Sequence, residues 1–149
     1  MQNRKFTNVI IIKIAFMALI SIAIIATLQS CARKITFLPS SETPAAMGKV
    51  KIKKDNNNNY NISINIEHLA PSNRLQPPAN TYVVWIITQQ NETKNMGQIN
   101  SSSSFLSSKL KASFSAVSPT KPVKVFITAE DNGAAFYPSH RVVLTTNNF

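Results

Sequence analysis

The sequence predicts an all-β domain of about seven short antiparallel strands, built as a sandwich or a barrel, behind an N-terminal apolar export segment. Two observations in residues 48–149 predict the strands. Apolar and polar residues alternate with a period of two in several short segments, and turn-forming residues separate these segments. Together the two features are typical of antiparallel sheets rather than of helical or α/β proteins.

The first predicted hairpin lies at the start of this region. Val50 and Ile52 alternate with lysines, and residues 60–67 alternate isoleucines with polar side chains as a half-buried strand. Between them, the Asp-Asn run over residues 55–59 suits a tight turn because these residues tolerate left-handed backbone.

The remaining strands follow after a proline-containing connection. Residues 82–88 are apolar on both faces, which predicts a central strand covered on both sides. Residues 105–114 fit one face of a helix as well as a strand, and we favour the strand. The other predicted elements are a returning strand over 96–100, a loop over 101–104, strands over 123–128 and 142–145, and a turn at Glu130-Asp131-Asn132-Gly133.

The N-terminus has the features of an export signal. Arg4 and Lys5 precede a largely apolar stretch from Val9 to Leu28. Its uninterrupted part is roughly 15 residues long, which is the length of a signal-peptide core and is short for a spanning helix.

This stretch ends in Leu28-Gln29-Ser30-Cys31, which resembles the bacterial lipobox. The resemblance implies lipid transfer to the Cys31 thiol, cleavage between Ser30 and Cys31, and anchoring in the cell envelope by two or three acyl chains. Ala32 is not the aspartate that resembles an inner-membrane retention signal, so the outer membrane is favoured. The alternative is an uncleaved anchor in which Cys31 takes no part.

These features divide the chain into three parts. We expect a signal peptide over residues 1–30, a lipidated cysteine with a flexible tether over 31–47, and the β domain over 48–149. Only one cysteine is present, which excludes an intramolecular disulfide and any site built from several cysteines.

The charge of the chain favours acidic partners. The net charge is +10, and 13 basic against 6 acidic residues remain without Arg4, Lys5 and Lys13 of the export segment. Such a balance suggests attraction to anionic lipid, lipopolysaccharide or nucleic acid. Export argues against nucleic acid, and no nucleic-acid-binding motif is visible.

The candidate contact residues are four lysines, Lys49, Lys51, Lys53 and Lys54. Three of them share one face of a predicted strand and form a basic stripe that suits acidic lipid or polymer. The alternative is that exposed lysines protect an edge strand from pairing with another chain.

Catalytic, cofactor and metal sites are not expected. His68 and His140 lie far apart in sequence without cysteine partners, and no Gly-x-Ser-x-Gly elbow frames a serine. The acidic turn at residues 130–133 offers oxygen atoms to a hard cation, but a simple turn is the favoured interpretation. Tyr82 and Trp85 are expected in the core rather than on a binding face.

Several features recur in an order that resembles the extracytoplasmic C-terminal domain of anti-sigma-K factors. They are Tyr82-Val83-Val84-Trp85, Met96-Gly97, a strand ending in Thr128-Ala129-Glu130, and Pro138 before Val142-Val143-Leu144. The resemblance implies a small Ig-like β-sandwich. It does not imply anti-sigma activity, because eight residues precede the apolar stretch and leave no room for a sigma-binding domain.

The functional hypothesis is therefore a non-enzymatic envelope lipoprotein. Its β domain binds a protein or an acidic envelope polymer, and the membrane holds it through the lipid on Cys31. The alternative is a structural or sensory accessory of envelope stress signalling without a ligand of its own, and an enzyme is the third possibility.

Overall fold

The computed structural model describes residues 13, 17, 33–104 and 107–149. The chain divides after Cys31 into two compact units. The described part of the second unit holds nine strands in two antiparallel sheets, which confirms the all-β prediction. The elements are β1 (Arg33–Thr36), β2 (Met47–Lys54), β3 (Tyr60–Glu67), a 3-10 turn (Ser72–Arg74), β4 (Thr81–Thr88), β5 (Thr93–Ile99), β6 (Ser102–Ser104), β7 (Ser107–Ser118), β8 (Pro122–Glu130) and β9 (Val142–Thr145).

The strands form two layers. Sheet A has the order β1-β2-β3-β7-β6, and sheet B has the order β5-β4-β8-β9. Neighbouring strands pair antiparallel throughout. The chain crosses between the sheets after β3, β5 and β7, so each sheet contains strands from both halves of the domain.

The core lies between the sheets, and the period-two alternation explains its composition. Sheet A contributes Val50 and the buried isoleucines Ile62, Ile64 and Ile66, all at most 1% exposed. Sheet B contributes Tyr82, Val84, Ile86, Val125 and Ile127. Each such side chain stabilises the fold by about 1.5–3 kcal/mol through removal of apolar surface from water.

One end of the sandwich, which we call the near pole, contains the start of β1 and the C-terminus. The Arg33 guanidinium carbon lies 5.6 Å from the Phe149 ring centroid. The β2–β3 turn lies at this pole, where Asp55 Oδ1 accepts hydrogen bonds from the backbone N–H groups of Asn57 and Asn59, both at 2.9 Å. The opposite end, the far pole, carries segments 37–46, 68–80 and 131–141.

The structure differs from the flexible tether predicted over residues 31–47. Strand β1 lies inside that segment and pairs with residues 49–52 of β2. The chain then passes from sheet A to sheet B, since Phe37 N donates to Gly48 O at 3.1 Å and Leu38 N donates to Thr145 O at 2.8 Å. Phe37 and Ala46 are buried in the core. Alternation did not reveal β1 because Ile35 is the one apolar residue among its four.

Two further elements differ from or refine the sequence prediction. Part of the predicted loop over 101–104 is strand β6, and with β1 this gives nine strands where about seven were expected. The ambiguous segment 105–114 is strand from Ser107 onwards, because β7 pairs with all of β3. Residues 105–106 and the segment 28–31 lie outside the described residues.

Candidate binding surface

The outer face of sheet A is open and basic. Alternation along β2 places Val50 in the core and turns Lys49, Lys51 and Lys53 outward, where all three are exposed. Exposed lysines from neighbouring strands extend this surface: Lys34 lies opposite Lys51, and Lys111 lies on β7 opposite Glu67 of β3. We call Lys34, Lys49, Lys51, Lys53 and Lys111 the basic face.

Protection of an edge strand does not explain the lysines in the middle of this surface. Strand β2 lies between β1 and β3, and β1 pairs with the segment that contains Lys49 and Lys51. Their strand therefore has no free edge at that point, and lysines are not needed there to prevent pairing with another chain. Lys54 is exposed at the end of β2, opposite Tyr60.

The positive charge of the basic face is not neutralised by ion pairs. Among the described residues, the two ion pairs join Lys94 to Glu92 and Arg141 to Glu42, each at 2.9 Å. On the described outer face of sheet A, Glu67 is the one carboxylate. The surface thus carries an excess of positive charge in contact with solvent.

Short polar side chains fill the space between these lysines. They come from the outward positions of β3 and β7, where Ser113 Oγ donates to Asn65 Oδ1 at 3.0 Å. Hydroxyl and amide groups beside ammonium groups suit hydrogen bonding to phosphate or carboxylate oxygens. The arrangement can hold anions.

The centre of the outer face of sheet B is apolar and covered. Val83 and Trp85 are fully buried there, and Trp85 stacks on Phe126 with ring centroids 6.3 Å apart. The segment 131–141 lies against this face, where Ala135 packs on the cluster and Asn95 Nδ2 donates to Gly133 O at 3.1 Å and Ala135 O at 2.9 Å. The prediction of Trp85 as a core residue is confirmed.

A buried polar chain connects Trp85 to this segment. Trp85 Nε1 donates to Thr128 Oγ1 at 2.8 Å, and Thr128 Oγ1 donates to Glu130 Oε1. The Ser139 N–H also donates to Glu130 Oε1, at 2.8 Å. Glu130, which the turn-forming residues after it assigned to a turn, is the buried last residue of β8 and holds the segment in place.

Tyr82 is also a core residue, as predicted. Its side chain is 1% exposed, and its hydroxyl donates to Ala70 O at 2.8 Å. Burial raises the pKa of Tyr82 from 10.0 to about 12; the positive charge of Arg141 lowers it and the negative charge of Glu42 raises it.

The two histidines serve no visible chemical site. His68 is half-buried beside a depression of about 430 Å³ at the far pole, which Glu42 and Arg74 also line, and His140 is exposed. In the described part of the chain, no three His, Cys, Asp or Glu side chains group as metal ligands. Asn132 Oδ1 accepts from Ala134 N at 2.9 Å, which is the geometry of a turn at residues 131–134.

No helix within the described residues is long and apolar enough to cross a membrane. Comparison of the chain with protein-family models, with curated proteins and with solved structures finds no match in any of the three. The resemblance to the anti-sigma-K domain and the lipobox at residues 28–31 therefore stay predictions from the sequence.

Proposed function

We propose that the protein is a lipid-anchored component of the bacterial cell envelope whose Ig-like sandwich is a non-catalytic binding module. Its ligand is an acidic envelope polymer, bound on the basic face. The observation that carries this proposal is the set of five exposed lysines on the outer face of sheet A, none of which takes part in an ion pair among the described residues.

The strand order supports the Ig-like assignment. Ig-type sandwiches place strands A-B-E-D in one sheet and G-F-C, often extended by C′, in the other. With β2 as strand A, sheet A contains β2-β3-β7-β6 and sheet B contains β9-β8-β4-β5 in that arrangement. Strand β1 is then an additional edge strand.

The shape and charge spacing of the surface favour a polymer over a small molecule. Lysines two positions apart on β2 are separated by roughly 7 Å, and adjacent strands by about 4.8 Å. A flat array of point charges at these spacings matches a chain of repeating phosphate or carboxylate groups. Because the lysines are exposed, we expect the attraction to weaken with rising salt.

The anchor is supported by the sequence Leu28-Gln29-Ser30-Cys31 and by how soon the sheet begins. Strand β1 starts at Arg33, two residues after Cys31, and two residues reach at most about 7 Å. A lipid on Cys31 therefore keeps sheet A close to the membrane surface, where a second, electrostatic contact strengthens attachment.

Charge reversal on the basic face tests the binding proposal. The full-length Lys51→Glu/Lys53→Glu protein is compared with Arg74→Glu/Lys121→Glu, which changes the net charge equally at exposed positions outside the face. Retention on immobilised polyphosphate is measured over a salt series. We expect the first variant to elute at much lower salt and the control to stay near wild type. Equal elution of the two variants contradicts a role for the face.

The anchor is tested by the intact mass of protein extracted from membranes, beside a Cys31→Ala variant. The proposal expects a chain that starts at Cys31 and carries acyl groups, and it expects this species to be lost in the variant. An unmodified mass that retains Met1 contradicts lipidation and makes the apolar segment an uncleaved anchor.

A further inference from the structure

A groove of about 820 Å³ lies beside the basic face, between strands β1 and β2 and the segment 37–46. This volume falls in the range of roughly 300–1,000 Å³ that is usual for small-molecule sites. Lysines line one end, and mostly apolar side chains line the other. Its charged and apolar parts are therefore separated along its length.

The apolar end exposes side chains that the fold itself does not cover. Leu38 is 37% exposed and Met47 is 64% exposed, and both line the groove. Gly48 contributes to this shape because a Cβ atom there would lie 2.9 Å from Phe37 Cδ2 and 2.9 Å from Ile66 Cγ1. The glycine thus allows the Phe37 ring to pack directly on β2.

At the lysine end, two positive charges lie opposite each other on neighbouring strands. Lys34 lies directly opposite Lys51 in the β1–β2 register, and Lys49 is two positions along the same strand. Like charges at directly opposed positions destabilise a sheet. A bound anion that contacts both ammonium groups removes this repulsion.

The acidic residue of the groove lies away from that position. Glu67 is opposite Met47 in the β2–β3 register, at the apolar end. Its carboxylate repels an anion there, so the lysine end is the place that suits an anionic group. An elongated ligand with an anionic head and an apolar body matches both ends.

We propose that this groove binds an anionic phospholipid of the membrane, with an acyl chain over Leu38 and Met47 and the phosphate on Lys34 and Lys51. The inference goes beyond the proposed function, because it assigns a phospholipid rather than a polymer to the lysines of the groove. The acyl chains on Cys31 fit less well, because they carry no anionic head for the lysines.

Photocrosslinking tests this site in the full-length protein. The protein is placed in phosphatidylcholine nanodiscs that contain a little phosphatidylglycerol with a diazirine in its acyl chain, and the adducts are mapped after irradiation. Adducts before residue 33 report contact of the anchor with the bilayer. We expect additional adducts within residues 37–47, and much weaker labelling there by a phosphatidylcholine probe with the same diazirine.

Matched variants locate the ligand. Met47→Glu places a charge in the apolar end and should abolish the adducts at 37–47, whereas Val117→Glu should keep them. Val117 is a suitable control because it is an exposed apolar residue, at 56%, on the same face of sheet A but outside the groove. Lys34→Glu/Lys51→Glu should also lose the adducts, and an unchanged thermal unfolding midpoint shows that each variant is folded.

Adducts that stop before residue 33, or that persist in Met47→Glu, overturn the groove as a lipid site. Equal labelling by the phosphatidylcholine probe overturns the anionic head. Polyphosphate has no acyl chain, so retention of Met47→Glu on polyphosphate separates the two proposals. If wild type is retained on polyphosphate but gives no adducts at residues 37–47, the lipid site alone is contradicted. If wild type gives these adducts but is not retained on polyphosphate, the polymer proposal alone is contradicted.

Discussion

The two outer faces of the sandwich differ more than the two inner faces. Both inner faces supply aliphatic side chains to one core. The outer face of sheet B has an apolar centre in which Val83 and Trp85 are fully buried, whereas the outer face of sheet A carries exposed lysines. A sheet face that its own chain covers contributes to stability, and a face left open to water is available for a ligand.

The lengths of the connections explain this difference. The connection from β8 to β9 spans residues 131–141 and is long enough to fold against sheet B, where Asn95 and Glu130 hold it by hydrogen bonds. The connection from β2 to β3 spans only residues 55–59 and closes on itself around Asp55. It cannot reach the outer face of sheet A, and the longer connection from β1 to β2 passes to sheet B instead.

The largest expected effect is at Trp85. Replacing it by Ala removes a fully buried ring, its stacking on Phe126 and its bond to Thr128. We expect the free energy of unfolding in urea to fall by about 3–5 kcal/mol. Trp85→Phe keeps a ring and should cost less. A loss below about 1 kcal/mol for Trp85→Ala would show that this face is not a second core.

A smaller loss is expected at Glu130. Glu130→Ala removes the acceptor for Thr128 and for the Ser139 N–H, and should cost about 1–3 kcal/mol. Limited proteolysis should then cut segment 131–141 faster. Glu130→Gln keeps the Oε1 acceptor, so it should be milder; identical behaviour of the two variants would argue against this role of the carboxyl group.

Because Tyr82 is buried, we expect the stability of the fold to depend on pH. Its pKa is raised from 10.0 to about 12 by burial, so the folded state favours the protonated phenol. The resulting stability is complete below pH 10 and is lost as the pH rises from 10 towards 12. Tyr82→Phe should show a shallower decline over this window in urea titrations. Parallel declines for both proteins would contradict the shifted pKa.

The smallest effect on stability is expected on the basic face. Lys51→Glu/Lys53→Glu changes exposed side chains that make no ion pair among the described residues, so the free energy of unfolding should change by at most about 0.5 kcal/mol. Thermal and urea unfolding measure this. A loss of several times that size would mean that the lysines stabilise the sheet, and the contrast between the two faces would then fail.

The sequence predicts those strands best that bury one face and expose the other. Alternation predicted the strands around Val50, Ile64 and Val125, and the doubly apolar pattern predicted β4 as a central strand. Strands β1 and β6 were not predicted, because four and three residues hold too little alternation to detect. Their pairing depends on neighbours that are known only after folding.

The sequence likewise predicted only part of the candidate surface. The stripe on β2 follows from alternation alone, but Lys34 and Lys111 join it only through the order of the strands. The groove depends on the passage of residues 37–38 from sheet A to sheet B, which has no local sequence signal. The buried position of Glu130 was missed because its sequence neighbours, Asp131 to Gly133, are typical of a turn.

The most direct test of the contrast is the reactivity of individual lysines in intact cell envelopes and in the purified protein. An amine-selective reagent is applied to both, and modification is quantified by peptide mapping. We expect Lys49, Lys51 and Lys53 to be protected in the envelope, whereas exposed Lys121, outside the face, reacts equally in both. Equal reactivity of all four lysines in the two preparations would contradict an occupied basic face.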